Sequence, residues 1–337
     1  MARRFVRPLA CKLQRPATRP LFDLSPCRIA LVLCLSLAAS VSPWVADAPA
    51  AGSTAAVKRP MERRTVPPPF QSLRRYRIPA ESILLKDLST GRILYEFEAD
   101  RRISPASLTK IMTALVILEY GHLDDDVIVT REAAAARKTH LRLRTGQVFR
   151  LEDLLRAMLM TSANDACLAA ALHVGGSQER FVALMNEKAR ALGMLNTRFS
   201  NACGFDGVDH YSTAQDLASL TEIALQHPVF RVYVKQERHI MTAVNTNRSY
   251  LLRTTNRLLG KMPGVEGVKT GFTSKAGRCL IAKVSQQGKE LLLVLLHAPR
   301  RWNTATHLIN YGLRLPGMPT PPVSEHLESL TLPEENS

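Results

Sequence analysis

Apolar residues recur at helical spacing in five consecutive segments, 107–120, 151–160, 164–174, 177–192 and 213–226, while strand-like patterns occur only on either side of that block. Before it, 82–87 and 92–98 read as two strands joined around Ser89-Thr90-Gly91. After it, 264–271, 277–285 and 290–298 read as three more, the last two pairing across Gln286-Gln287-Gly288-Lys289. A helix over about 304–313 closes the pattern. A sheet built from both ends of such a chain has to be assembled around the helical block. The fold class expected is α/β in the α+β sense: one mainly antiparallel sheet flanked by helices, with a helical subdomain.

The chain carries 45 Lys and Arg against 29 Asp and Glu, a net charge of +16 that raises the question of nucleic acid. Its distribution answers it. Up to Arg75 there are 13 basic and 3 acidic residues, so +10 of the surplus precedes the folded part. The remaining +6 is spread without a basic stripe or interleaved aromatics, and no nucleic-acid partner is expected.

The order of features in 1–50 is that of a secretory signal: a basic start, the apolar run IALVLCLSLAA at 29–39, and small residues fitting cleavage after Ala50. The run is short for a membrane span, though an uncleaved anchor and a start downstream of Met1 both remain open. Residues 51–75 are rich in Pro, Ala and Arg and read as a disordered linker, and 317–337 as a disordered acidic tail. The folded domain is expected over 76–316. Beyond the leader only Cys167, Cys203 and Cys279 remain, an odd number that argues against a disulfide framework in an exported chain. They are expected as small buried apolar side chains. No metal-ligand spacing occurs among the nine histidines, and no metal or cofactor is expected.

Three short motifs follow one another: Ser107-Leu108-Thr109-Lys110, Ser162-Ala163-Asn164 and Lys269-Thr270-Gly271. Each arises often by chance; the ordered set is that of serine acyl-enzyme chemistry. A serine hydroxyl is a poor nucleophile until a neighbouring base takes its proton. Spaced three apart at a helix start, Lys110 reaches Ser107, and burial together with a second cation at Lys269 would keep its amine uncharged. Ser162 is placed to pass a proton to a leaving amine and Asn164 to fix a substrate peptide group, although both also suit a loop that caps the next helix. Lys269, Thr270 and Gly271 end a strand along which an extended peptide can lie, and the N–H groups of Phe272 and Ser107 are candidate oxyanion donors.

The stretches ASLTKIMTALVI, LEDLLRAMLMTSANDACLAAA, FSNACGFDGVDHYSTAQDLASL and GVEGVKTGFTSKAGRCLIA resemble the low-molecular-mass penicillin-binding proteins, D-alanyl-D-alanine carboxypeptidases of the SxxK serine-peptidase type. The resemblance runs from about Ala80 to Leu313. It implies a β-lactamase/transpeptidase-like fold over 76–316, Ser107 as the acylated serine, Lys110 as its general base, Ser162 and Asn164 as the second motif, and Lys269 on the substrate side. It also implies that Arg301, in RWNTATHLINYG, holds the substrate's terminal carboxylate, a surface arginine at a helix start being the alternative. The implied substrate is a peptidoglycan stem peptide ending in D-Ala-D-Ala, with β-lactam antibiotics as covalent inhibitors and the periplasm or cell envelope as location. Ala163 stands where many relatives carry glycine. No room for a β-rich C-terminal domain or membrane helix follows Leu313, so no strong C-terminal anchor is expected.

Three other readings share parts of this pattern. An endopeptidase of peptidoglycan cross-links would use the same acylation chemistry. A β-lactamase needs a second carboxylate soon after the SxN motif, and 188–204 contains no Asp or Glu. A non-catalytic cell-wall binding module would have no need of Lys110.

Overall fold

The computed structural model describes residues 78–316 apart from 138. The leader, linker and acidic tail anticipated from the sequence lie outside the described residues. Five strands, β1 (Ser82–Asp87), β2 (Ile93–Phe97), β7 (Val265–Thr273), β8 (Gly277–Gln286) and β9 (Lys289–Leu296), form one antiparallel sheet in the order β2-β1-β9-β8-β7. The sheet thus joins the two ends of the domain, as the segregation of strand patterns requires.

β9 is the middle strand, and its uninterrupted apolar run LLLVLL has a direct cause. Leu291, Leu293 and Leu295 point to one face, where Ala305, Leu308 and Ile309 of the last helix, Arg301–Arg314, cover them. Leu292, Val294 and Leu296 point to the other face, into the helical layer. With both faces covered, alternation with polar residues disappears. β7, by contrast, is an edge strand with one side of its backbone unpaired within the sheet.

The helical layer centres on α1 (Lys110–Tyr120), in which every residue from Lys110 to Ile117 is buried. A helix surrounded on all sides is apolar all round. Lys110 breaks that rule at its first residue, with 0% exposure. Around α1 pack α3 (Leu151–Met160), α4 (Asn164–Gly175), α5 (Gln178–Ala191) and α6 (Ala214–Gln226), following a short α2 (Arg131–Ala134) and preceding α7 (Pro228–Val234); the last helix is α8. Capping follows the sequence: Ser177 and Thr213 accept hydrogen bonds from the N–H groups of Arg180 and Asp216 at the starts of α5 and α6.

Two small two-stranded antiparallel sheets, β3 (Asp126–Ile128) with β4 (Val148–Arg150) and β5 (Arg238–Thr242) with β6 (Ser249–Arg253), were not expected from the sequence, nor were α2 and α7. Strands of three to five residues with one exposed face carry too few apolar positions to establish a period. Among the described residues no helix is long and apolar enough to cross a membrane.

Candidate active site

Ser107 lies in a 3-10 turn, Ala106–Thr109, that runs directly into α1. The preceding Ala106 is held at φ +48°, a left-handed conformation rare for a residue with a side chain. The turn brings the Lys110 Nζ to 3.2 Å from the Ser107 Oγ, so the spacing of three acts as expected. Lys110 also donates to the Asn164 Oδ1 at 2.7 Å and to the Cys203 carbonyl at 2.5 Å. Asn164 Nδ2 donates to the Arg137 carbonyl at 3.0 Å, which leaves its oxygen facing the lysine.

This arrangement fits an uncharged amine. A neutral –NH2 has two N–H groups and one lone pair. Two carbonyl oxygens, which only accept, take two N–H groups, and the third direction faces the Ser107 hydroxyl, which accepts from an ammonium or donates to a neutral amine, so the balance is set by the surroundings. The Lys110 pKa is held well below the ordinary lysine value, first by burial and then by the Lys269 cation, with Asp165 opposing.

The second motif occupies the break between α3 and α4. Ser162 is 7% exposed and sits at φ +62°, another left-handed residue at the same site. Such strain clusters at functional sites because the surrounding packing has to impose it. The capping role open to Asn164 is not the one it takes: Ala163 is the N-cap of α4, and Asp165 Oδ1 accepts the Ala166 N–H of the first turn at 3.0 Å. Asp165 also accepts the N–H groups of Leu141 and Leu143 at 2.9 and 3.0 Å, tying the loop before the motif to α4.

On the opposite side, β7 presents its edge. A Cβ placed on Gly271 would meet the Ala106 Cβ at 3.1 Å and the Ser107 amide nitrogen at 3.3 Å, so the strand lies directly against the turn that carries Ser107. Lys269 is 1% exposed and donates to the Thr270 carbonyl at 3.0 Å. Burial, then the Arg301 charge, lowers its pKa to about 7. Thr270 Oγ1 pairs with Thr255 Oγ1 at 2.7 Å, while the Phe272 side chain is largely exposed. Arg301 is the first residue of α8, three residues earlier than the sequence pattern suggested, and it is partly buried rather than a surface side chain. Its Nη1 donates to the Gly271 and Cys279 carbonyls at 2.8 and 3.0 Å, joining β7 to β8. Its Nε is buried without a partner among the described residues.

The cysteine expectation is corrected here. Cys167 and Cys203 form a disulfide across 36 residues with Cα atoms 6.0 Å apart, and among the described residues Cys279 is left as a buried free thiol. An odd count excludes full pairing, not one pair. Three further residues escaped the sequence reading. Gly204, at φ +83°, packs so closely on the turn that carries Ser107 that a Cβ would lie 2.0 Å from the Ala106 carbonyl oxygen. Asn201 Oδ1 accepts the N–H groups of Gly204 and Phe205 at 2.8 and 2.9 Å, shaping the loop that carries the Cys203 carbonyl. His210 accepts the Ser200 N–H at Nδ1, so its Nε2–H donates to Thr109 Oγ1 at 2.8 Å; burial depresses its pKa to about 4, keeping it neutral. No group of three or more metal-ligating side chains occurs among the described residues.

The sequence profile of the D-alanyl-D-alanine carboxypeptidase family matches residues 68–300. The chain belongs to that family. Arg301 is the first residue beyond the match, so its role has to stand on geometry. Among curated members of the D-alanyl-D-alanine carboxypeptidase family, the chain is 34% identical over 224 residues to the carboxypeptidase DacF of Bacillus subtilis, covering 65% of this chain and 57% of that protein. It is 34% identical over 236 residues to a D-alanyl-D-alanine endopeptidase of Pseudomonas aeruginosa, covering 69% and 76%. The match spans 62% of the carboxypeptidase DacC of Escherichia coli, at 35% identity over 70% of this chain. The crystal structure of the Streptomyces K15 DD-transpeptidase superposes with a TM-score of 0.67 at 31% identity, over 71% of this chain and 99% of that one. The expected fold is therefore the one observed.

Proposed function

We propose that this protein is a serine-type D-Ala-D-Ala carboxypeptidase that removes the terminal D-alanine from peptidoglycan stem peptides. The observation that carries the proposal is the fully buried Lys110 amine 3.2 Å from the Ser107 hydroxyl, where burial and the neighbouring Lys269 disfavour its charged form. The Ser107 oxygen bonds to the carbonyl carbon of the penultimate D-alanine as its proton passes to the Lys110 lone pair. The new oxyanion faces the N–H groups of Ser107 and Phe272, donors of a kind typically worth about 3 kcal/mol each. The C–N bond then breaks, and the proton returns through Ser162 to the leaving amine. Lys269 and Arg301 supply positive charge for the terminal carboxylate, and Asn164 with the β7 edge orients the peptide. Water then adds to the acyl carbon as one of its protons passes to Lys110; the acyl C–O bond breaks, and Lys110 returns that proton to the Ser107 oxygen, restoring the hydroxyl and the free amine.

β-Lactams acylate the same serine in this reading. Mass spectrometry after treatment with labelled penicillin tests it: an adduct is expected on Ser107 in the wild type and none in Ser107→Ala. An adduct on the variant, or none on the wild type, overturns the assignment.

The endopeptidase reading draws support from the Pseudomonas relative of that name. Purified muropeptides separate the two, since a carboxypeptidase releases free D-alanine and an endopeptidase splits dimers. Export to the cell envelope is part of the proposal, supported by the apolar run at 29–39 and by a disulfide, which persists in oxidising compartments.

A further inference from the structure

Lys110 has two carbonyl acceptors, and they come from different parts of the chain. One is the Asn164 side chain, in the first turn of α4; the other is the backbone of Cys203, in the loop between α5 and α6. Cys167 stands three residues after Asn164 on α4, one turn along the same face. Its disulfide to Cys203 therefore closes a ring: amine, Cys203 carbonyl, disulfide, α4, Asn164 amide, amine. Both half-cystines are buried, at 0% and 1% exposure, and the bond is the one covalent tie between α4 and this loop among the described residues. The hydrogen bonds from Thr113 to the Ala202 carbonyl and from the loop to Asn201 are weaker constraints on the same segment.

We propose that the Cys167–Cys203 disulfide is a positioning element for the general base, so that the chain acquires full acylating activity only when these two thiols are oxidised. Two separate thiols cannot approach as closely as two bonded sulfurs. Both sulfurs are buried, so whether two thiols crowd the space or two alanines leave it unfilled, the loop carrying the Cys203 carbonyl has to shift relative to α4. The lysine loses a fixed acceptor, water gains access, and the lone pair no longer holds its direction toward Ser107. A chain still in a reducing compartment would be folded but poorly reactive toward D-Ala-D-Ala termini.

This inference rests on the proposed acyl-enzyme chemistry, and one experiment separates the two. Oxidised wild type, the Cys167→Ala/Cys203→Ala double variant, and wild type reduced with a dithiol are compared in their rates of acylation by labelled penicillin. Reduction passes two electrons and two protons from the dithiol to the disulfide, giving two thiols and the cyclic disulfide of the reductant. Brief exposure to mild denaturant opens the buried bond, and all samples are then assayed below their melting temperatures. Failure of oxidised wild type to acylate would remove the underlying function. If it does acylate, the expected result is a loss of between about tenfold and about a hundredfold in both altered forms, the scale of a 1 Å misplacement at a reacting centre.

A merely structural bond would lower the melting temperature and leave the pH profile alone. The positioning role predicts that the acidic limb of the acylation profile moves to higher pH, because the amine becomes better hydrated. The charged or titratable groups around it are Lys269 on β7, Asp165 on α4 and His210 before α6, all unchanged in these samples. Acylation within about twofold of wild type with an unmoved acidic limb, in either altered form, overturns the proposal. Should the double variant fail to fold, the reduced wild type decides alone.

Discussion

The Lys110 Nζ donates to the Asn164 Oδ1 across 2.7 Å in a site where neither side chain is more than 4% exposed. An acceptor without charge at that distance holds the amine without favouring its ammonium form. Replacing it with a carboxylate reverses the balance, because an opposite charge so close raises a lysine pKa by about one to three units. Asn164→Asp is expected to retain its fold and to move the acidic limb of penicillin acylation to higher pH by about one to three units, with recovery at alkaline pH. A variant slowed equally at every pH would leave Asn164 only the peptide-orienting role and remove its effect on the lysine.

Lys269 gives a prediction about stability. Its pKa is 10.5 in the unfolded reference and about 7 in the folded protein. Below about pH 7 both states are protonated, and the folded state bears the whole cost of burying the charge. Between about pH 7 and 10.5 the unfolded chain holds a proton that the folded one has released, so stability rises with pH. Lys269→Met is therefore expected to be more stable than wild type at pH 6, with the gap in urea midpoint closing toward pH 10. A gap constant across that range contradicts the burial argument.

Arg301 carries structural and recognition roles that substrates can tell apart. Its Nη1 holds two backbone carbonyls, so Arg301→Met loosens the junction of β7 and β8 for any ligand. The loss specific to a carboxylate is measured with two peptides, one with a free and one with an amidated C-terminus. Hydrogen bonds to charged groups are worth about 1.5–3 kcal/mol, so kcat/KM for the free acid is expected to fall about 10- to 100-fold more than for the amide. Equal losses for both would reduce Arg301 to a brace.

These residues also mark how far the sequence could be read. Ser107, Lys110, Ser162, Asn164 and Lys269 lie in short motifs whose chemistry is explicit in their side chains, and β9 is visible because a strand covered on both faces has no polar alternation. The Cys167–Cys203 bond was not legible, since pairing depends on a loop and a helix 36 residues apart meeting at 6.0 Å. The Cys203 carbonyl was hidden for a simpler reason. Every residue has one, and only the fold selects which faces the lysine. The strand pairs β3–β4 and β5–β6 were lost because strands of three to five residues do not define a period.

Gly204 is the residue whose requirement only the packing reveals, and it yields the sharpest mutational test. At φ +83° any side chain costs about 1–2 kcal/mol from the left-handed backbone alone. Here the added Cβ would also lie 2.0 Å from the Ala106 carbonyl oxygen and 2.9 Å from the Ser107 nitrogen, both backbone atoms that cannot rotate away. Gly204→Ala therefore has to push the nucleophile's turn off the loop that carries the Cys203 carbonyl, and acylation should fall together with stability. Gly288, in the β8–β9 turn at φ +72°, has nothing within 4 Å of the same added atom and isolates the backbone cost. Gly288→Ala is expected to lose about 1–2 kcal/mol in urea unfolding and to acylate at the wild-type rate, whereas Gly204→Ala loses more than about 3 kcal/mol and most of its acylation. If the two variants behave alike, the contact between Gly204 and the Ala106–Ser107 peptide does not hold the nucleophile in place.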